Sequence, residues 1–132
     1  MKTLHVLIGL PRSGKSTKAK ELGFPIVETD AIRRTLYKEP FDPANELLVQ
    51  GLAKTMIRTL FECHDDVTLD EVNHTSARRS QWLSEHWATH FILIKTSKEE
   101  CIARALAGGR DYLIPIIDRM AANFEPLEGK DC

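Results

Sequence analysis

The chain has 132 residues, of which 42% are hydrophobic and 28% charged, with a formal net charge of −1. That length supports one hydrophobic core, and that apolar content excludes a disordered polymer. The near-neutral balance excludes a protein drawn onto nucleic acid by its global field, so any such contact must be local.

In chain order, residues 4–10 form a near-continuous apolar run ending in Gly9-Leu10-Pro11, the pattern of a strand buried on both faces. Residues 15–22 read as a helix that Gly23 can terminate, followed by a short strand at 24–28. A helix over 30–37 is broken after its end by Pro40 and Pro43. From 44 to 63 runs a long amphipathic helix, with Leu48, Leu52, Met56 and Leu60 at helical spacing as its core stripe. His64-Asp65-Asp66 is a turn, and 67–72 a third strand. Ser76 begins and caps the next helix, on which Trp82, Leu83 and Trp87 face the sheet. A fourth strand at 91–94, a helix at 99–106, an interruption at Gly108-Gly109-Arg110-Asp111 and a helix at 114–124 follow, then an irregular tail. Strands alternating with helices predict a parallel sheet in a three-layer α/β/α domain spanning 1–132.

No segment is long and apolar enough to cross a membrane, the N-terminal run included. Cys63, Cys101 and Cys132 lack metal-ligand spacing and are odd in number. They read as reduced thiols of a cytoplasmic protein, two of them in apolar helical settings where a buried thiol acts as a small hydrophobe. The five histidines show no ligand spacing either, and His74 reads as a polar loop residue.

Gly9-Leu10-Pro11-Arg12-Ser13-Gly14-Lys15-Ser16 fits the G-x-x-x-x-G-K-[ST] phosphate loop in full, followed by Thr17. Glycines let successive N–H groups converge on one anion, and the following helix presents its N-terminus to it. Lys15 then reaches the β and γ phosphates of ATP or GTP, and the Ser16 hydroxyl ligates Mg²⁺. Gly9, Arg12, Ser13, Gly14, Lys15, Ser16 and Thr17 are therefore the nucleotide-binding residues.

Four strings make the chain resemble the small P-loop kinases typified by the kinase domain of phage polynucleotide kinase, a group that includes the zeta-toxin-like kinases. They are the loop at 9–17, Glu28-Thr29-Asp30-Ala31-Ile32-Arg33, Thr68-Leu69-Asp70-Glu71-Val72-Asn73 with Arg78-Arg79, and a tail from Arg119-Met120 through Phe124-Glu125-Pro126-Leu127-Glu128-Gly129. The resemblance spans nearly the whole chain. It implies about four parallel strands in spatial order 2-3-1-4. Arg12 stands where many relatives carry a third glycine, which leaves the loop intact unless that position needs positive φ.

The resemblance also implies roles. Asp30, past the second strand, is a general base for an attacking hydroxyl, or alternatively a simple helix cap. Arg33, one turn on, orients Asp30 or holds an acceptor phosphate. Either Asp70 or Glu71 is the acid that holds Mg²⁺, with Asp70 preferred. A lid at 108–114 supplies Arg110 to the transferring phosphoryl, with Arg104 as the alternative or as a partner of adenine. Arg78 and Arg79 form a phosphate track or, as the plainer reading, an exposed helix face. The implied activity is transfer of the ATP γ-phosphoryl to a hydroxyl, foremost a 5′-OH of DNA or RNA. A small-molecule acceptor, or nucleotide binding without transfer, are the alternatives.

Overall fold

In the computed structural model, the described residues are 1–37 and 43–127. The break expected at Pro40, and Glu128, Gly129 and Cys132 of the tail, lie outside them. Four strands, β1 (Thr3–Ile8), β2 (Ile26–Glu28), β3 (Asp66–Asp70) and β4 (Ala88–Leu93), form one parallel sheet in the order β2-β3-β1-β4. This is the strand order implied by the resemblance to the small P-loop kinases. The helices are α1 (Lys15–Leu22), α2 (Thr29–Leu36), α3 (Glu46–Leu60), α4 (Ser76–Ser80), α5 (Lys98–Ala107) and α6 (Ile114–Ala122). Among the described residues no helix is long and apolar enough to cross a membrane.

The buried strand β1 hydrogen-bonds on both edges, so its apolar run has no polar alternation to show. Leu4, Val6, Val27, Val67 and Leu69 meet Val49, Ala53 and Ile57 of α3 with Trp82 and Trp87 in the main core. A second cluster, Leu10, Cys101, Ala105 and Ile117, joins the phosphate loop to α5 and α6.

Several expectations are corrected. The buried stripe of α3 is Val49, Ala53 and Ile57; Leu48 and Met56 are exposed, while Leu52 and Leu60 are partly buried at its flanks. Both stripes have the same i, i+4 spacing, and the smaller side chains let the helix approach the sheet. The helix after the third strand is one turn and a half, α4, capped by Thr75, whose hydroxyl accepts from the Arg78 N–H at 3.2 Å, and not by Ser76. Leu83 beyond it is exposed, whereas Trp82 and Trp87 are buried. Strand β4 starts three residues earlier than its apolar run, because Ala88, Thr89 and His90 pair with β1 even though Thr89 and His90 are polar. Cys101 is buried but Cys63 is exposed in the turn after α3.

The pair Arg78-Arg79 is not an exposed face. Arg79 is wholly buried, its guanidinium donating to the Asn73 carbonyl at 2.9 Å, the His74 carbonyl at 3.2 Å and the carbonyls of Glu125 and Pro126. The Phe124 ring lies 5.4 Å from it. Arg79 thereby docks the C-terminal segment onto the end of β3, with the Glu125 N–H donating back to the His74 carbonyl at 2.8 Å.

Candidate active site

Parallel strands deliver their carboxyl ends to one edge, and the register sets Glu28 directly beside Asp70 there. The phosphate loop opens at the same edge after β1. Its first glycine has a steric cause, because a Cβ at Gly9 would lie 2.6 Å from the Ser13 hydroxyl and 3.1 Å from Ile94. Gly14 has φ 103° and leads straight into α1. Arg12 has φ 67°, so the loop does need a left-handed backbone at this non-glycine position, contrary to the condition set from the sequence. The Ser13 hydroxyl is buried without a hydrogen-bond partner.

Lys15 folds back, its ammonium donating to the Leu10 carbonyl at 2.9 Å. Burial pushes the Lys15 pKa down, an effect opposed by the negative charges of Asp70 and Asp30. The Ser16 hydroxyl donates to Asp70 at 2.9 Å. Asp70 is buried, and burial raises its pKa against the pull of Lys15 and of the Ser16 hydrogen bond. Glu71 turns the other way, accepting from the Gln50 amide at 2.8 Å and facing Arg78 at 3.5 Å and Arg33 at 3.7 Å. A hydroxyl and a carboxylate in contact at a phosphate loop are a hard-oxygen pair suited to Mg²⁺, and Ser16 with Asp70 fits that ion.

A cavity of about 340 Å³ opens over the loop, lined by Arg12, Gly14, Lys15, Ser16, Thr17 and Arg104. Arg104 of α5 donates to the Arg12 carbonyl at 3.3 Å and pairs with Glu100 at 3.1 Å. Arg12 in turn lies over the end of α5, 2.9 Å from where a Cβ of Gly108 would stand. Arg110 is exposed, donates to the Tyr112 hydroxyl at 3.3 Å and does not line this cavity.

Asp30 lies in the first turn of α2 but is not its cap. Glu28 holds the cap position, with no side-chain cap bond. The Asp30 carboxylate is 69% exposed and takes a 2.6 Å hydrogen bond from Arg33. Arg33 is also gripped by Glu46 of α3, Nε to Oε2 at 2.9 Å and Nη2 to Oε1 at 2.6 Å. Burial works against the Arg33 charge, but the Glu46 hydrogen bond and the charges of Asp30, Glu46 and Glu71 outweigh it and raise its pKa. Glu46 and Gln50 were not distinguished in the sequence, while Glu71, weighed there as the alternative Mg²⁺ acid, and Arg78, weighed as part of a phosphate track, join this cluster instead. Glu46 stands in the first turn of α3 with no motif around it, and only the pairing of α2 with α3 reveals it.

The AAA_33 family model, an AAA domain, matches residues 4–127. No curated protein matches the sequence. Among solved structures, a chain of a Pnkp1/Rnl/Hen1 complex aligns with TM-score 0.67 and 24% identity, covering 78% of this chain and 38% of that one. A chain of the Pnkp1/Rnl/Hen1 RNA repair complex gives 0.67 and 17%, covering 94% and 46%. A gluconokinase from Sinorhizobium meliloti 1021 gives 0.68 and 17%, covering 97% and 78%. The chain thus spans less than half the length of the two RNA-repair polypeptides, and all three likenesses are likenesses of fold.

Proposed function

The chain belongs to the AAA_33 family, and on that premise we propose that it is an ATP-dependent phosphotransferase with a hydroxyl acceptor. The observation that supports this best is the Ser16–Asp70 contact of 2.9 Å beside Lys15, with the Asp30–Arg33 pair at the same end of the sheet. Backbone N–H groups at the start of α1, from Gly14 to Ser16, and Lys15 cradle the nucleotide phosphates, with Arg12 and Arg104 flanking them. Mg²⁺, held through Ser16 and Asp70, supplies neutralisation of phosphate charge. Asp30 takes the proton of the acceptor hydroxyl as its oxygen bonds to the γ-phosphorus, and the bond to the β–γ bridging oxygen breaks to release ADP. Arg110, in a lid at 108–114, closes to meet charge on the transferring group.

The acceptor we favour is a nucleic-acid 5′-OH, the reading the sequence strings support. A small hydroxylated metabolite is the second reading, favoured by the net charge of −1, which offers no general field for a strand.

The test is transfer from γ-labelled ATP to 5′-OH DNA, 5′-OH RNA, nucleosides and sugars. Lys15→Ala should abolish transfer while the far-UV spectrum and melting cooperativity are kept. Asp30→Asn should lower kcat by roughly 10²–10⁴-fold with ATP affinity nearly unchanged. Unchanged turnover in Lys15→Ala would sink the phosphate-loop assignment. Normal turnover in Asp30→Asn would remove the base.

A further inference from the structure

We infer that Glu46 is a positioning residue for phosphoryl transfer, acting on Asp30 through Arg33. The inference rests on the proposed role of Asp30 as base. Asp30 is 69% exposed, and a carboxylate so open to water has no fixed rotamer of its own. What holds it is one N–H of Arg33, at 2.6 Å, and that guanidinium is only 17% exposed. The guanidinium is oriented chiefly by Glu46, whose two oxygens meet Nε and Nη2 as a planar fork, while Nη1 has a longer contact of 3.4 Å with the Thr29 hydroxyl. A fork fixes the guanidinium plane, and fixing that plane aims Nη1 at Asp30. Glu46 is itself 13% exposed, so the brace is largely shielded from water.

Charge points the same way. Arg33 unaccompanied would leave a full positive charge against the group that must accept a proton. Glu46 in the fork, and Glu71 at 3.7 Å, return negative charge to the far side of the guanidinium. Arg78, at 3.8 Å from Glu46 and 3.5 Å from Glu71, stops these two acids from repelling each other unopposed. A simple tie between α2 and α3 would need the fork alone. The additional short bond from Arg33 to Asp30 is what a tie does not require.

The test is a double-mutant cycle on the full chain. Glu46→Gln keeps the side-chain length and removes the charge and half the fork. It should lower kcat by roughly 10–100-fold with KM for ATP within about twofold, the signature of a misaimed group. In an Asp30→Asn background the same change should cost nothing further. Glu46→Asp, which keeps the charge, should fall between.

An equal loss in both backgrounds would mean that Glu46 serves the fold alone, and no loss in either would mean that it does nothing for transfer. Both outcomes overturn the inference. Asp30→Asn with normal turnover would overturn the base assignment first and this inference with it. Side-chain ¹⁵N NMR gives a readout that needs no turnover. The Arg33 Nε–H signal should be sharp and slow to exchange in the parent chain and lost in Glu46→Gln. Its persistence in the variant would show that the fork does not depend on Glu46.

Discussion

Arg12 carries the clearest local conflict in the chain. Its φ of 67° lies in the left-handed region, where a non-glycine residue pays about 1 kcal/mol or more in steric strain. The strain sits on the phosphate-facing turn, and the side chain gains only a weak reach of 3.5 Å to the Arg104 carbonyl. Arg12→Gly should therefore raise unfolding stability in urea by up to about 1 kcal/mol while weakening nucleotide binding through loss of a cation. A fall in stability would mean that the Arg12–Arg104 contacts outweigh the strain. Asn73, with φ 50°, adopts the same region more comfortably, because asparagine tolerates it. Its amide also donates to the Leu7 carbonyl at 3.0 Å and accepts from the Trp82 indole at 3.0 Å. The phosphate loop was legible because its glycines and lysine have fixed spacing. The torsion at Arg12 was not, since nothing in an arginine signals a backbone angle.

Elements were legible in type and order, and less so in which face they bury. In α3 two i, i+4 stripes lie side by side, and hydrophobicity alone prefers the bulkier Leu48, Leu52, Met56 and Leu60. Packing chose Val49, Ala53 and Ile57 instead, because distance to the sheet decides. In α4 a charged run reads as a solvated face, yet the topology brings four carbonyl groups around Arg79. No local pattern announces that a C-terminal segment will return to this point. Arg79→Ala should take the guanidinium donor from all four carbonyls, leaving His74 only the Glu125 N–H, and remove the contact with Phe124, a loss of roughly 3–5 kcal/mol in denaturant unfolding. Arg79→Lys should recover little of it, as one ammonium cannot span the same carbonyls. Early proteolytic cleavage near residues 123–127 in Arg79→Ala would locate the damage at the docked segment.

At the scale of the molecule, charge is concentrated at the carboxyl end of the sheet, where the fold carries Lys15, Asp70 and Glu71 in buried positions. The motif strings made Lys15 and Asp70 visible, but the carboxylate–guanidinium cluster around Glu46 depends on two helices meeting and has no signature in either. His74 sits where that end joins the docked segment, its backbone carbonyl accepting from Arg79 and Glu125. Its pKa is held below the ordinary imidazole value of 6.5, first by burial and then by the charges of Arg78 and Arg79, with Glu125 opposing. The folded chain therefore binds a proton at His74 less readily than the unfolded chain does. By linkage, the neutral imidazole's contribution to stability is complete above the unfolded value and is lost as pH falls through it toward the lowered folded value. Urea midpoints should accordingly decline from about pH 7.5 to about pH 5.5, the range in which an imidazole titrates. His74→Asn keeps the backbone carbonyl and removes the titrating ring. Its midpoint should lie close to that of the parent at the upper end and should decline less steeply toward the lower end. The other histidines are common to both chains and cancel in the difference. Parallel pH curves for parent and variant would show that protonation of His74 is not coupled to folding, and that Arg78 and Arg79 do not act on its ring.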